Sequence, residues 1–152
     1  MPQAWRIVLA KFQAQAFDGD GARIHGGRWN SPGTRMVYCA GSVSLATLEM
    51  LVHLPGSALL PSYRVISVDL PDSKIEVLDA SLLPRDWTRF PAPPRLQDLG
   101  DEWIASRRSV ALRVPSAVVP MESNYLLNPE HPDFGKLARS AALHYPLDPR
   151  LA

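Results

Sequence analysis

The sequence predicts a mixed α+β fold, and three observations carry that prediction. Short runs dense in aliphatic and aromatic residues recur at 5–9, 35–40, 63–70 and 109–114, each of strand length and bounded by turn residues. Two longer stretches, 42–54 and 96–107, instead space their apolar residues three and four apart, the period of a helix packed on one side. At 152 residues the chain has the length of one ordinary domain. The proline-rich piece 90–94 joins halves too short to build separate cores, so residues 1–152 are expected to form a single domain.

The elements follow in order. Trp5-Arg6-Ile7-Val8-Leu9 is apolar enough for a central strand. Residues 11–21 read as a polar loop closing on Asp18-Gly19-Asp20-Gly21; the regular ligand spacing and final glutamate of a calcium loop are missing, so a turn is expected. Gly26 and Gly27 allow the next loop to fold tightly and present Arg28 and Trp29. A strand at 35–40 turns Tyr38 to the same face as Met36 and Ala40. Ser42 or Ser44 caps a helix that Pro55-Gly56 stops. Strands at 63–70 and 75–78 flank the turn 71–73, and Asp79 can cap the short segment at Leu82-Leu83. Leu96, Leu99 and Trp103 mark the inner face of a helix ending near Arg107-Arg108. Short strands at 109–114 and 117–120, interrupted at Pro115, lead into 122–129, and one helical turn is expected near 131–134.

Composition narrows the function classes. Apolar residues at 46% and charged residues at 20% indicate a globular chain rather than a disordered one. Sixteen basic residues against fifteen acidic ones leave a net charge of +1, so bulk electrostatic binding of nucleic acid is not expected. The lone cysteine, Cys39, excludes an internal disulfide and reads as a small buried hydrophobe. The amino terminus has too short an apolar run for a signal peptide, and no segment reaches membrane-spanning length, so a soluble cytoplasmic protein is expected. His25, His53, His131 and His144 are scattered without metal-ligand spacing, and neither a nucleophile elbow nor a phosphate-binding Walker loop is present. No metal site is expected.

The strongest local signal lies in the 42–54 helix. Leu45, Leu48, Glu49 and Val52 fall at i, i+3, i+4 and i+7, which sets Glu49 on an apolar stripe, an unfavourable place for a carboxylate unless something there uses it. His53 follows one turn later on the same side, and Arg28 and Tyr38 come just before in sequence. Leu51 and Leu54 make the helix apolar on more than one side, so Glu49 can also be read as a surface residue at the stripe's edge. Arg28 alone reads as a loop charge and Tyr38 alone as core; the combination suggests a site. Ser123 and Asn124 can project a hydroxyl and an amide into a cleft, or simply close a turn.

The residues 25–33 (HGGRWNSPG), Val37-Tyr38, 44–53 (SLATLEMLVH), 120–134 (PMESNYLLNPEHPDF) and 146–151 (PLDPRL) together resemble the RES-domain family, the toxin half of Xre–RES toxin-antitoxin pairs. The resemblance extends from Trp5-Arg6 to Arg150-Leu151. It implies an α+β fold similar to ADP-ribosyltransferases and diphtheria-toxin-like enzymes, with mixed, mostly antiparallel sheets, flanking helices and a cleft for NAD. The arginine, glutamate and serine that name the family map to Arg28, Glu49 and Ser123. NAD would be the substrate, with no prosthetic group, and an Xre-type antitoxin would cover the cleft.

Those residue types suit the implied chemistry. Breaking the nicotinamide–ribose bond develops positive charge on the sugar, which a carboxylate at Glu49 would steady. Arg28 would grip phosphate or ribose oxygens, Tyr38 would offer an aromatic face to nicotinamide, and Ser123 and Asn124 would fix the ligand or Glu49. Trp29 and His53 complete the expected binding set. The expected function is an NAD-consuming toxin acting by hydrolysis or phosphorolysis. The alternatives are a protein ADP-ribosyltransferase, and a non-catalytic binding module in which Arg28 and Glu49 form a buried ion pair. Leu59-Leu60 and the terminal segment could supply a homodimer surface.

Overall fold

The computed structural model describes residues 2–53 and 62–151. Among them, strands β1 (Gln3–Leu9), β2 (Val37–Ala40), β3 (Tyr63–Asp69), β4 (Ile75–Val77), β5 (Ala111–Pro115), β6 (Ser123–Leu127) and β7 (Leu143–Tyr145) form one sheet in the order β4-β5-β6-β2-β1-β3-β7. Only β4 and β5 pair in parallel; the other neighbours are antiparallel, so the expected mixed, mostly antiparallel α+β class is what is found. β1 sits inside the sheet, as its apolar density suggested. It pairs with β3 along its whole length, from Gln3↔Asp69 to Leu9↔Tyr63, but meets β2 at a single register pair, Trp5↔Ala40. The sheet therefore splits between β1 and β2.

Among the described residues three α-helices dress this sheet: α1 (Asp20–His25), α2 (Val43–Leu51) and α3 (Pro94–Ser106). α3 starts with Pro94 at its first position, where no amide hydrogen is missed, and ends on Arg107 in the left-handed conformation (φ 55°). Its predicted inner face, Leu96, Leu99 and Trp103, is buried with Met36, Leu112, Val114 and Leu126. Strand alternation sends Val37, Cys39, Ala111, Tyr125 and Leu127 into a second cluster with Phe17 and Val110. Cys39 is buried there, as expected. No helix among the described residues is long and apolar enough to cross a membrane.

Several expectations are corrected. The supposed loop at 11–21 is instead a 3-10 turn, Ala10–Gln15, followed by the start of α1. The Asp-Gly run that reads as a turn is a helix start: Gly19 takes φ 73°, and Asp20 in the first turn accepts from Arg23 Nε at 2.7 Å. Residues 117–120 are not a strand. They belong to the connection between β5 and β6, closed by Ser116 N–H to Glu122 O at 3.0 Å, because the partner of 111–115 is 123–127. The short strands β6, which begins with polar residues, and β7 were not anticipated. The stop expected at Pro55-Gly56 and the apolar pair Leu59-Leu60 lie outside the described residues.

Candidate active site

The split between β1 and β2 opens into a cavity of about 720 Å³, walled by the Arg28 loop, α2 and the segment around Phe90. It falls within the range of about 300–1,000 Å³ usual for small-molecule sites.

Glu49 stands on one wall, but not for the reason its sequence position suggested. Ser42 caps α2, accepting from Leu45 N–H at 3.1 Å, and the buried face of the helix is Leu45-Ala46-Thr47. Leu48 and Val52, expected beside Glu49 on an inward stripe, are 40% and 58% exposed. Glu49 is partly buried at the border, and partners distant in sequence hold it. Ser116 Oγ donates to Glu49 Oε2 at 2.9 Å, and Asn124 Nδ2 donates to the same oxygen. Ser116 is wholly buried, and its oxygen accepts the amide hydrogens of Val118 (3.1 Å) and Val119 (3.0 Å). With its lone pairs occupied, the hydroxyl hydrogen is directed at Glu49. Both donors land on Oε2, which leaves Oε1 for the cavity. Asn124 Oδ1 is buried with no hydrogen-bond partner among the described residues, an arrangement that costs free energy unless a ligand donor fills it.

The Arg28 loop is braced from beneath. The Tyr38 hydroxyl donates to Asn30 Oδ1 at 2.6 Å and accepts Trp29 N–H at 3.0 Å. Asn30, fully buried, donates to Ala22 O and Thr34 O; Gln97 on α3 donates to Gly27 O and Asn30 O. Asp101 accepts from both Ser31 N–H and Ser31 Oγ. At Gly27 an added Cβ would stand 2.7 Å from the Tyr38 hydroxyl, and at Gly100 one would stand 1.6 Å from the Trp29 carbonyl oxygen. Glycine is required at both by close approach. Burial pushes the Tyr38 phenol above its ordinary range, so the hydroxyl keeps its proton and its bracing role.

Arg28 itself donates Nη1 to Trp87 O at 2.8 Å. Burial lowers its pKa, and the field of Glu49 across the cavity opposes that shift. The two side chains do not form the ion pair expected of a purely structural arrangement: no guanidinium nitrogen lies within 4.0 Å of the carboxylate. Cation and anion face one space from separate supports.

Of the residues singled out from the sequence, Arg28, Trp29, Tyr38, Glu49, His53 and Asn124 line this cavity. Trp29 is 2% exposed and belongs as much to the core as to the wall, whereas His53 is exposed and tilts against Phe90, with ring centroids 6.1 Å apart. Ser123 is misplaced in the sequence-based assignment. Side chains alternate along β6, so with Asn124 and Leu126 toward the cavity Ser123 turns away into a shallow recess with Gly41, Ser42 and Arg113. The serine that reaches Glu49 is Ser116, whose one sequence cue is its place immediately after the strand ending at Pro115.

Residues 3–148 match the RES domain family, and the chain belongs to it. It is 42% identical over 148 residues to the protein named Toxin Res of Yersinia enterocolitica, covering 97% of each chain. It is 37% identical over 152 residues to the Prs ADP-ribosylating toxin of Sphingobium sp., covering 97% of this chain and 94% of that one. In fold it is similar to a chain of the M. tuberculosis MbcT–MbcA toxin-antitoxin complex, with a TM-score of 0.76 and 21% identity, over 99% of this chain and 86% of the other.

Proposed function

We propose that this member of the RES-domain family is the toxin of a toxin-antitoxin pair and an enzyme that breaks the nicotinamide–ribose bond of NAD. The observation that carries this reading is the presentation of Glu49: Oε2 is tied to Ser116 and Asn124, and Oε1 is left toward a cavity that Arg28 also lines. As the C–N bond breaks, its electron pair leaves with nicotinamide and positive charge grows on the ribose. A carboxylate fixed before the reaction stabilises that charge without reorganising. Oxygen from water or phosphate then bonds the anomeric carbon, giving ADP-ribose or its 1″-phosphate.

The remaining residues fit the same ligand. Arg28 has free donors for a phosphate or the proximal ribose, the Tyr38 ring faces the cavity, and the unpartnered Asn124 Oδ1 would accept a sugar hydroxyl. An Xre-type antitoxin would neutralise the enzyme by covering the mouth, where Phe90 is 77% exposed beside His53. Incubation of pure protein with NAD, with and without phosphate, and mass analysis of the products tests the reading. Free nicotinamide with ADP-ribose or its phosphorylated form is expected; intact NAD after prolonged incubation with folded protein would reject it.

The name of the Sphingobium relative favours a second reading, transfer of ADP-ribose to a protein. Two residues before Glu49 stands Thr47, buried and bonded to Val43 O and the Tyr145 hydroxyl, so no second carboxylate sits there to activate a protein acceptor. That arrangement supports a small acceptor. Label from the adenylate half of NAD recovered on protein rather than in free nucleotide would reverse the order of the two readings.

A further inference from the structure

Ser116 and Asn124 hold Glu49 on one side of α2, and the opposite side of the helix has a tie of its own. Thr47, 6% exposed, donates its hydroxyl hydrogen to Val43 O at 2.9 Å. A threonine side chain has one such hydrogen, so in the short contact between Thr47 Oγ1 and the Tyr145 hydroxyl, 98 positions away, tyrosine is the donor. Tyr145 ends β7, the three-residue strand at one edge of the sheet, where it stands opposite Tyr63 of β3. Leu143 and His144 of β7 are exposed; Tyr145 is half-buried and turns to the helix. Neither Thr47 nor Tyr145 is among the described residues that line the cavity.

The bond to Val43 O is ordinary for a threonine inside a helix. The bond from Tyr145 is different, because it ties α2 to the sheet edge in a fixed direction. The inward residues Leu45 and Ala46 pack on Trp5, Ile7 and Val119, but apolar contact is non-directional and fixes the depth of a helix better than its turn about its own axis. Leu48 and Val52 reach solvent and add little restraint. Thr47 and Glu49 are two residues apart, about 200° around a helix of 3.6 residues per turn, so their bonds act on opposite sides of the axis. With side chains ending about 5–6 Å from that axis, a turn of about 10° carries the carboxylate roughly 1 Å. A misplacement of that size can cost about 100-fold in rate.

We propose that Tyr145 is a positioning residue: through Thr47 its hydroxyl holds α2 at the rotation that presents Glu49 Oε1 to the cavity. The edge strand β7 then supports the site without touching the ligand. Under the NAD reading, on which the measured reaction rests, the loss of this tie slows bond breaking and leaves NAD binding at Arg28 in place.

The test compares unmodified protein with Tyr145→Phe, Thr47→Val and Thr47→Ser, each also in a Glu49→Gln background. Tyr145→Phe and Thr47→Val are expected to lower kcat for NAD about tenfold with KM changed less than about twofold, and Thr47→Ser, which keeps the acceptor, to stay near the unmodified rate. In the Glu49→Gln background the same substitutions should cost less than about twofold, because the carboxylate they place is already gone. Equal losses with and without the Glu49 carboxylate, a KM that rises in step with the fall in kcat, or an unmodified kcat would overturn the role. Should Tyr145→Phe fail to fold, Thr47→Val decides by the same rates. If the unmodified protein leaves NAD intact, the NAD reading fails by itself, and the carbon NMR resonance of the Glu49 carboxyl, assigned by its loss in Glu49→Gln, decides instead. A resonance moved by Tyr145→Phe and Thr47→Val but not by Thr47→Ser would establish the positioning, and one unmoved by all three would overturn it.

Discussion

Ser116 and Glu49, 67 positions apart, are joined by a hydrogen bond of 2.9 Å whose direction is set by the backbone: the amides of Val118 and Val119 occupy the serine oxygen and leave its hydrogen for the carboxylate. Ser116→Ala removes that donor and orphans two amides, which should destabilise the fold by about 1–3 kcal/mol. NAD turnover is expected to fall at least tenfold at a temperature where the variant is folded. Ser123→Ala, on the opposite face of β6, is expected to change turnover less than twofold. Steady-state rates beside melting curves check both, and the reverse ranking would return the role to Ser123.

Glu49→Gln is expected to leave the fold intact, because a glutamine carbonyl can accept from Ser116 and Asn124 as Oε2 does. A preorganised charge can contribute roughly 3–4 kcal/mol at a transition state, so turnover should drop by about two orders of magnitude or more. NAD consumption at the unmodified rate by folded Glu49→Gln would sink the assignment.

Tyr38→Phe keeps the ring and removes the brace. It leaves Trp29 N–H and Asn30 Oδ1 without their shared partner, at a cost of about 1–3 kcal/mol. A lower melting temperature is expected together with weaker ADP-ribose binding, since the loop that loosens carries Arg28. Calorimetry showing unaltered affinity would separate the brace from the site.

Alkaline pH should expose the buried thiol. Burial raises the Cys39 pKa from 9.0 to about 12. The folded value lies above the unfolded one, so the stabilisation is complete below about pH 9 and is lost as pH rises from there toward 12. Tyr38 shifts in the same direction. Urea unfolding across that window should show stability falling, less steeply in Cys39→Ala; superimposable curves would contradict the shift. Below pH 9 the native thiol should resist disulfide reagents.

Much of the frame was legible because it is local. The apolar density of β1 and β3, the cap at Ser42 and the 96–99–103 spacing of α3 are each written in a few consecutive residues. Which residue types line the candidate cavity was legible, and their geometry only partly. Glu49 was noticed through a helical stripe that does not exist, since Leu48 and Val52 face outward. What holds it comes from Ser116 and Asn124, 67 and 75 positions away, and depends on which residue of β6 faces the split. A one-residue change of phase along a strand exchanges Ser123 for Asn124, and nothing short of the β5–β6 register settles that phase.

The contact at Gly100 has a mechanical consequence. The α3 backbone and the Trp29 carbonyl meet with no room for even a methyl group, so nothing soft lies between the helix and the loop next to Arg28. A shove on the solvent side of α3 would reach the guanidinium as rigidly as a rod transmits a tap. A macromolecule resting there would have a lever on the pocket's grip without touching its mouth.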